Sequence, residues 1–197
     1  MSGKGDNMIN QVHEYVKGKL DSESTGHDYM HALRVSKNAL EISYNLEADL
    51  NLIEVASLTH DLIDKKVFDD PQKEHDLLTV FLQGLYNENF VKKVFSIIEN
   101  ISFSEKNVPE SIEGKIVQDA DRLDALGAIG IARTFAYGGK NNRNIYHPDK
   151  KDDSLTHFYD KLFSLSSLMN TETGRELARD RTAFMHEFIF RLLDEVE

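Results

Sequence analysis

No cysteine occurs among the 197 residues, which excludes a disulfide framework, a thiolate metal knot and a cysteine nucleophile together. That absence fits a reducing compartment, and a cytoplasmic protein is expected. Long apolar runs are missing too. No stretch approaches the roughly 18 residues of a membrane-spanning helix, and no secretory leader pattern is evident, so no membrane partner is expected. Basic residues are few, 23 Lys and Arg against 34 Asp and Glu, for a net charge of −11. Duplex nucleic acid requires a clustered cationic face, and this chain is not expected to bind it. Only three prolines occur; Pro71, Pro109 and Pro148 each fall where the apolar pattern breaks.

What is present has helical spacing almost throughout. Residues 1–7 are small, polar and aperiodic, and read as a loose tail ahead of one folded domain over 8–197. Ile9, Val12, Val16 and Leu20 then form one stripe at three- and four-residue steps. Thr25-Gly26-His27-Asp28 has the form of a capping box and predicts a second helix from about His27, with His27 and His31 one turn apart. A third helix from about Asp49 to Ile63 carries His60-Asp61 at its end. Further stripes run through Leu77 to Leu85, Phe90 to Ile101 and Ser111 to Leu126. Gly127, Gly130 and Gly138-Gly139 predict a helix followed by a long irregular loop. Two last amphipathic segments centre on Leu155, Phe158, Leu162, Leu165 and Leu168, and on Leu177, Phe184, Phe188 and Leu192, the latter capped within Thr173-Gly174-Arg175-Glu176. With no convincing alternating strand and no internal repeat, the expected fold is an all-α, single-domain helical bundle.

Three clusters carry the chemistry: His27-Asp28-Tyr29-Met30-His31, His60-Asp61, and Asp119-Ala120-Asp121-Arg122-Leu123-Asp124. Imidazoles and carboxylates without thiols are the ligand set of a hydrolytic divalent-metal site. Neutral imidazoles suit a borderline cation, carboxylates offset its charge, and open positions admit water whose pKa the ion lowers. Helices of a bundle build such sites from inward-projecting side chains. Within the acidic run, Asp121 and Asp124 lie one turn apart while Asp119 points elsewhere, which reads as a solvated or capping carboxylate.

His27-Asp28-x-x-His31-x-x-Arg34-Val35, Ala56-x-x-x-His60-Asp61-x-x-Asp64 and Asp119-Ala120-Asp121-Arg122-Leu123-Asp124-Ala125 together resemble the HD-domain phosphohydrolase superfamily, whose signature is H…HD…D on separate helices. Gly130-Ile131-Ala132-Arg133-Thr134-Phe135-Ala136-Tyr137-Gly138-Gly139, His157-Phe158-Tyr159-x-Lys161-Leu162 and Met169-Asn170-Thr171 extend the likeness to its small bacterial YedJ/YpgQ-like branch. The resemblance implies an HD-type helical bundle whose ligands are His31, His60, Asp61 and Asp121. It also implies metal-dependent hydrolysis of a phosphate ester or anhydride, with Asp61 at the reacting centre. One divalent ion is expected, Mn or Mg, with Ni, Fe, Co or Zn compatible with the same donors.

Asp64 and Lys65 follow the His-Asp doublet closely enough to handle a proton or steady developing charge, though an ordinary charged helix end reads equally well. From Ala125 to Pro148 there is no Asp or Glu, yet Arg133, Tyr137, Lys140 and Arg143 occur there. That segment, together with His27 and Asp124, is the expected substrate side, with glycines admitting a phosphate and arginines gripping its oxygens. The expected ligand is a small phosphorylated molecule, a nucleotide as the resemblance implies, and the expected reaction is cleavage of a nucleoside triphosphate to monophosphate and pyrophosphate. The alternatives are a phosphodiesterase, a nucleoside monophosphatase, or a non-catalytic nucleotide-binding regulatory module.

Overall fold

The computed structural model describes residues 3–21, 26–101 and 107–196, with the backbone alone for 3–6. Most of these residues are helical, with no strand among them. The chain divides into two compact units, Met1–Ala120 and Asp121–Glu197.

The first unit contains α1 (Gly3–Leu20), α2 (Tyr29–Ser43), α3 (Leu50–Thr59), a 3-10 turn at His60–Ile63, α4 (Pro71–Gln83), α5 (Glu88–Ile98) and most of α6 (Ile112–Asp124). Helix α1 begins at Gly3, so the tail expected to end before Met8 is helical over residues 3–7. Adding turns to an amphipathic helix already anchored by Val12, Val16 and Leu20 needs no new nucleation, so weak helix formers can follow. Met1 and Ser2 lie outside the described residues, as does Thr25 of the expected capping box.

Four helix starts share one device, an Asx side chain accepting a backbone N–H of the first turn. Asp28 accepts from His31 N at 2.8 Å, Asp49 from Leu52 N at 3.1 Å, Asp70 from Lys73 N at 3.0 Å and Asn87 from Phe90 N at 3.0 Å. His27 therefore precedes the cap of α2 rather than standing inside the helix. Helix α3 is buried nearly all round, through Leu52, Ile53, Val55, Ala56, Ser57, Leu58 and Thr59. Such a helix has no solvent face to offer and sits in the middle of its unit, where it packs on α1, α2 and α5.

The second unit holds the end of α6, then α7 (Gly127–Lys140), α8 (Ser154–His157), a π segment Phe158–Leu162, α9 (Phe163–Leu165), a 3-10 turn Ser166–Leu168, and α10 (Glu172–Val196). Phe158 packs against Phe135 and Phe163, and Phe135 also meets Phe188. Arg181 of α10 donates to the Leu123 carbonyl at 2.7 Å. The buried stripe of α10 is Gly174, Ala178, Met185 and Ile189, whereas Phe184, expected on its apolar face, is half exposed. Thr171, not Thr173, supplies the local cap by accepting from Gly174 N. Leu168 is exposed and Met169 takes its place inside, because the 3-10 turn shifts the register before the chain extends.

The glycines of the expected loop are helical. Gly138 and Gly139 lie in α7 with Gly130, so the pair belongs to the helix and not to the irregular stretch after it. A Cβ on Gly130 would stand 2.2 Å from the Ala125 carbonyl oxygen, and one on Gly138 would stand 2.1 Å from Ser154 Oγ. Close backbone packing explains both. Gly139 faces open space. Gly130→Ala is expected to destabilise the protein by about 1–3 kcal/mol through forced displacement of backbone, while Gly139→Ala leaves stability unchanged or raises it by up to about 1 kcal/mol. Paired urea denaturation of the two variants checks this contrast.

Candidate metal centre

The site is assembled around the end of α3. Ser57 lies one turn before His60, where α3 tightens into the 3-10 turn and carbonyls near a helix end are open to side-chain donors. His60 Nδ1 donates to the Ser57 carbonyl at 2.7 Å. A carbonyl can only accept, so the bond places the proton on Nδ1 and leaves Nε2 of the neutral ring as a lone pair. That is the tautomer a metal ligand needs. The Ser57 carbonyl was not foreseen from the sequence, although its three-residue spacing from a histidine at a helix end is the signal that would have suggested it.

Helix α2 brings the second imidazole. His31 is 1% exposed and His60 is 6% exposed, and their Nε2 atoms stand 3.3 Å apart. Asp61 lies between them in chemistry: His31 Nε2 is 3.3 Å from Oδ2 and His60 Nε2 is 3.3 Å from Oδ1. His27 Nδ1 donates to Oδ2 at 2.9 Å. Ligand atoms of His27, His31 and Asp61 all fall within 4.8 Å of one another. Buried lone-pair donors converging in this way are mutually repulsive unless a proton or a cation lies among them, and the His/His/Asp donor set fits a divalent ion.

Burial by itself raises the Asp61 pKa, but with no ion bound the positive charge of His60, when its ring is protonated, and the hydrogen bonds from His27 and His31 outweigh it and hold the carboxyl well below its ordinary value. The carboxylate is thus ionised and available as a ligand at neutral pH.

The remaining expected residues fall into place as follows. Asp64 ends the 3-10 turn and accepts from Lys66 N at 2.8 Å, with Lys66 Nζ 3.9 Å away; Lys65 is exposed. Asp121 stands on α6 as the first residue of the second unit, partly exposed. Asp119, expected to be solvated or capping, is fully buried in mid-helix, because it shares the inward phase of Ile116 and Ala120. In the second unit Arg133 Nη1 donates to the buried Asp124 carboxylate at 2.5 Å. Arg143 lies over the Tyr137 ring, 5.9 Å from its centroid. Lys140 ends α7 and is exposed.

The depressed Asp61 pKa has a signed consequence for the metal-free protein. A carboxylate lowered on folding contributes stability that is present above its unfolded value near 3.8 and is lost as pH falls through the folded value. The wild type is therefore expected to lose stability more steeply than Asp61→Asn as pH falls below about 4. Denaturation of both proteins in chelator across the acid range checks this; parallel acid limbs contradict it.

Comparison with known proteins agrees with the geometry. Residues 28–126 match the HD domain family. YpgQ of Bacillus subtilis is 41% identical over 194 residues, covering 94% of this chain and 92% of that protein. The crystal structure of B. subtilis YpgQ in complex with ADP superposes with a TM-score of 0.83 at 38% identity, covering 95% of this chain and 97% of that one. An HD-superfamily hydrolase from Bacillus thuringiensis gives a TM-score of 0.81 at 40% identity, covering 97% of both chains. Matches that run nearly end to end, on a helical fold that brings the histidines and Asp61 of the signature together, leave one assignment: the chain belongs to the HD-domain family and is a metal-dependent phosphohydrolase of the YpgQ-like branch.

Proposed function

We propose that this enzyme hydrolyses nucleoside triphosphates to nucleoside monophosphate and pyrophosphate, using one divalent ion held by His31, His60, Asp61 and Asp121. The observation that carries the reading is the convergence of His31 Nε2, His60 Nε2 and the Asp61 carboxylate, with the His60 tautomer set by the Ser57 carbonyl. The nucleotide class is supported by the ADP in the crystal structure of the relative YpgQ. Asp121 follows from the H…HD…D signature. Mn²⁺ or Mg²⁺ is the expected ion, with Ni, Fe, Co or Zn suited to the same donors.

Bound there, the ion supplies Lewis acidity toward a phosphoryl oxygen and toward the attacking water. The chain's own residues do the rest. His60 and His31 offer lone pairs already oriented in a dry pocket, so little reorganisation is needed at the moment of reaction. Arg133 grips phosphate oxygens in a direction set by its bond to Asp124, which makes Asp124 a positioning residue. Lys140, Arg143 and Tyr137 offer charge and an aromatic face to the rest of the nucleotide. Asp64 and Lys65 serve the proton and the developing charge near the doublet, Asp64 being oriented by its own turn.

A panel of nucleoside tri-, di- and monophosphates and a generic phosphodiester, assayed with Mn²⁺ and Mg²⁺ and with products identified, tests this. Monophosphate and pyrophosphate from triphosphates are expected. Orthophosphate from monophosphates, or turnover of the diester alone, would replace this reading with a monophosphatase or a phosphodiesterase. Nucleotide binding without any product under either metal would make the protein a regulatory module. In folded His60→Ala and Asp61→Ala variants, activity is expected to fall by more than the roughly 10- to 100-fold that loss of an outer-shell partner brings.

A further inference from the structure

We propose that His27 is a positioning residue for the metal centre, its Nδ1–H holding the Asp61 carboxylate in the orientation that accepts the ion. The inference rests on the metal reading above. Of the contacts to the Asp61 carboxylate among the described residues, three come from imidazoles: His27 Nδ1 at 2.9 Å, and His31 Nε2 and His60 Nε2 at 3.3 Å each. The last two change character when an ion is present. Nε2 of His31 and Nε2 of His60 then offer lone pairs to the cation and cannot donate to a carboxylate. His27 is left as the donor, and it is also the shortest of the three.

The backbone around His27 is built to keep that bond. Gly26 adopts the left-handed region at φ 97°, a conformation costly for residues with a side chain, and turns the chain into α2. Asp28 then caps α2 through His31 N at 2.8 Å. One short run thereby places a ligand, His31, and the donor that orients another ligand, Asp61, on opposite sides of a cap. The environments differ as the two tasks require. The His31 side chain is 1% exposed, while that of His27 is 27% exposed, so His27 reaches the buried carboxylate from the rim and keeps the outer ring edge toward solvent. A donor on Oδ2 keeps that oxygen from swinging, and leaves Oδ1, on the His60 side, for the cation.

The test is Mn²⁺ affinity of the full chain, measured by calorimetry and by the loss of the free-ion electron paramagnetic resonance signal, for wild type and for His27→Ala, His27→Asn and His27→Gln. The amide nitrogen of asparagine stands near the place of Nδ1, that of glutamine near the place of Nε2. His27→Ala is expected to weaken Mn²⁺ binding about 10- to 100-fold, the usual effect of removing a partner that orients a ligand. Asparagine should restore most of the loss and glutamine should not. Should the alanine variant fail to fold, the two amide variants, compared by thermal melting in chelator and then by Mn²⁺ affinity, decide the matter alone. Unchanged affinity in His27→Ala, or rescue by glutamine equal to that by asparagine, overturns the positioning role while leaving the metal reading intact. Pulsed spectra of the loaded wild type that show a third imidazole nitrogen, absent from His27→Asn, overturn it by making His27 a ligand. A wild type that binds no Mn²⁺, like His60→Ala, overturns the metal reading and this role with it.

Discussion

Asp61 is 5% exposed, in a unit whose interior is largely apolar. Removing a charged carboxylate from water costs several kcal/mol unless partners replace the lost hydration. Three imidazoles are those partners. They come from two places in the chain, the start of α2 and the end of α3, so the packing of these helices and the ionisation of one side chain are aspects of a single arrangement. The caps follow the same logic. Asp28 sets where α2 begins, and the tightening of α3 into a 3-10 turn sets where His60 and Asp61 face. Moving either boundary by one residue would rotate a ligand by about 100°.

The active end of α3 also shows why a central helix carries the doublet. A helix buried on every side is held in place by its neighbours, and side chains at its end inherit that rigidity. The cationic residues of the second unit are held less firmly. Lys140 is exposed, and Arg143 lies in the irregular stretch after α7. Arg133 is the exception, being tied to the buried Asp124 carboxylate.

Much of this was legible beforehand. The helical spacing of Val12, Val16 and Leu20, of Ala39 and Ile42, and of Ile116, Ala120 and Leu123 marked positions that are buried, although Met30, expected with Ala39 and Ile42, is exposed. The histidine and aspartate motifs identified the side chains that converge on Asp61. Other readings failed for identifiable reasons. Gly138 looked like a loop glycine because local propensity counts glycine as a breaker, whereas its backbone lies against Ser154. Asp119 looked solvated because aspartate usually is, yet its helical phase is that of Ile116 and Ala120. Residues 3–7 looked like a tail because their own propensities are poor, and helix extension does not depend on propensity alone.

Residue chemistry and periodicity belong to the sequence, since both are local: they determined an all-helical chain, a cysteine-free His/Asp ligand set, and the order H…HD…D. Which atom of each candidate ligand is left free to accept an ion is not local. The proton on His60 Nδ1 depends on the Ser57 carbonyl, and the orientation of Asp61 depends on His27, which lies 34 positions earlier. A hydrogen bond is directional over a few tenths of an ångström, and only the tertiary structure brings donors and acceptors that far apart in the chain to within that tolerance.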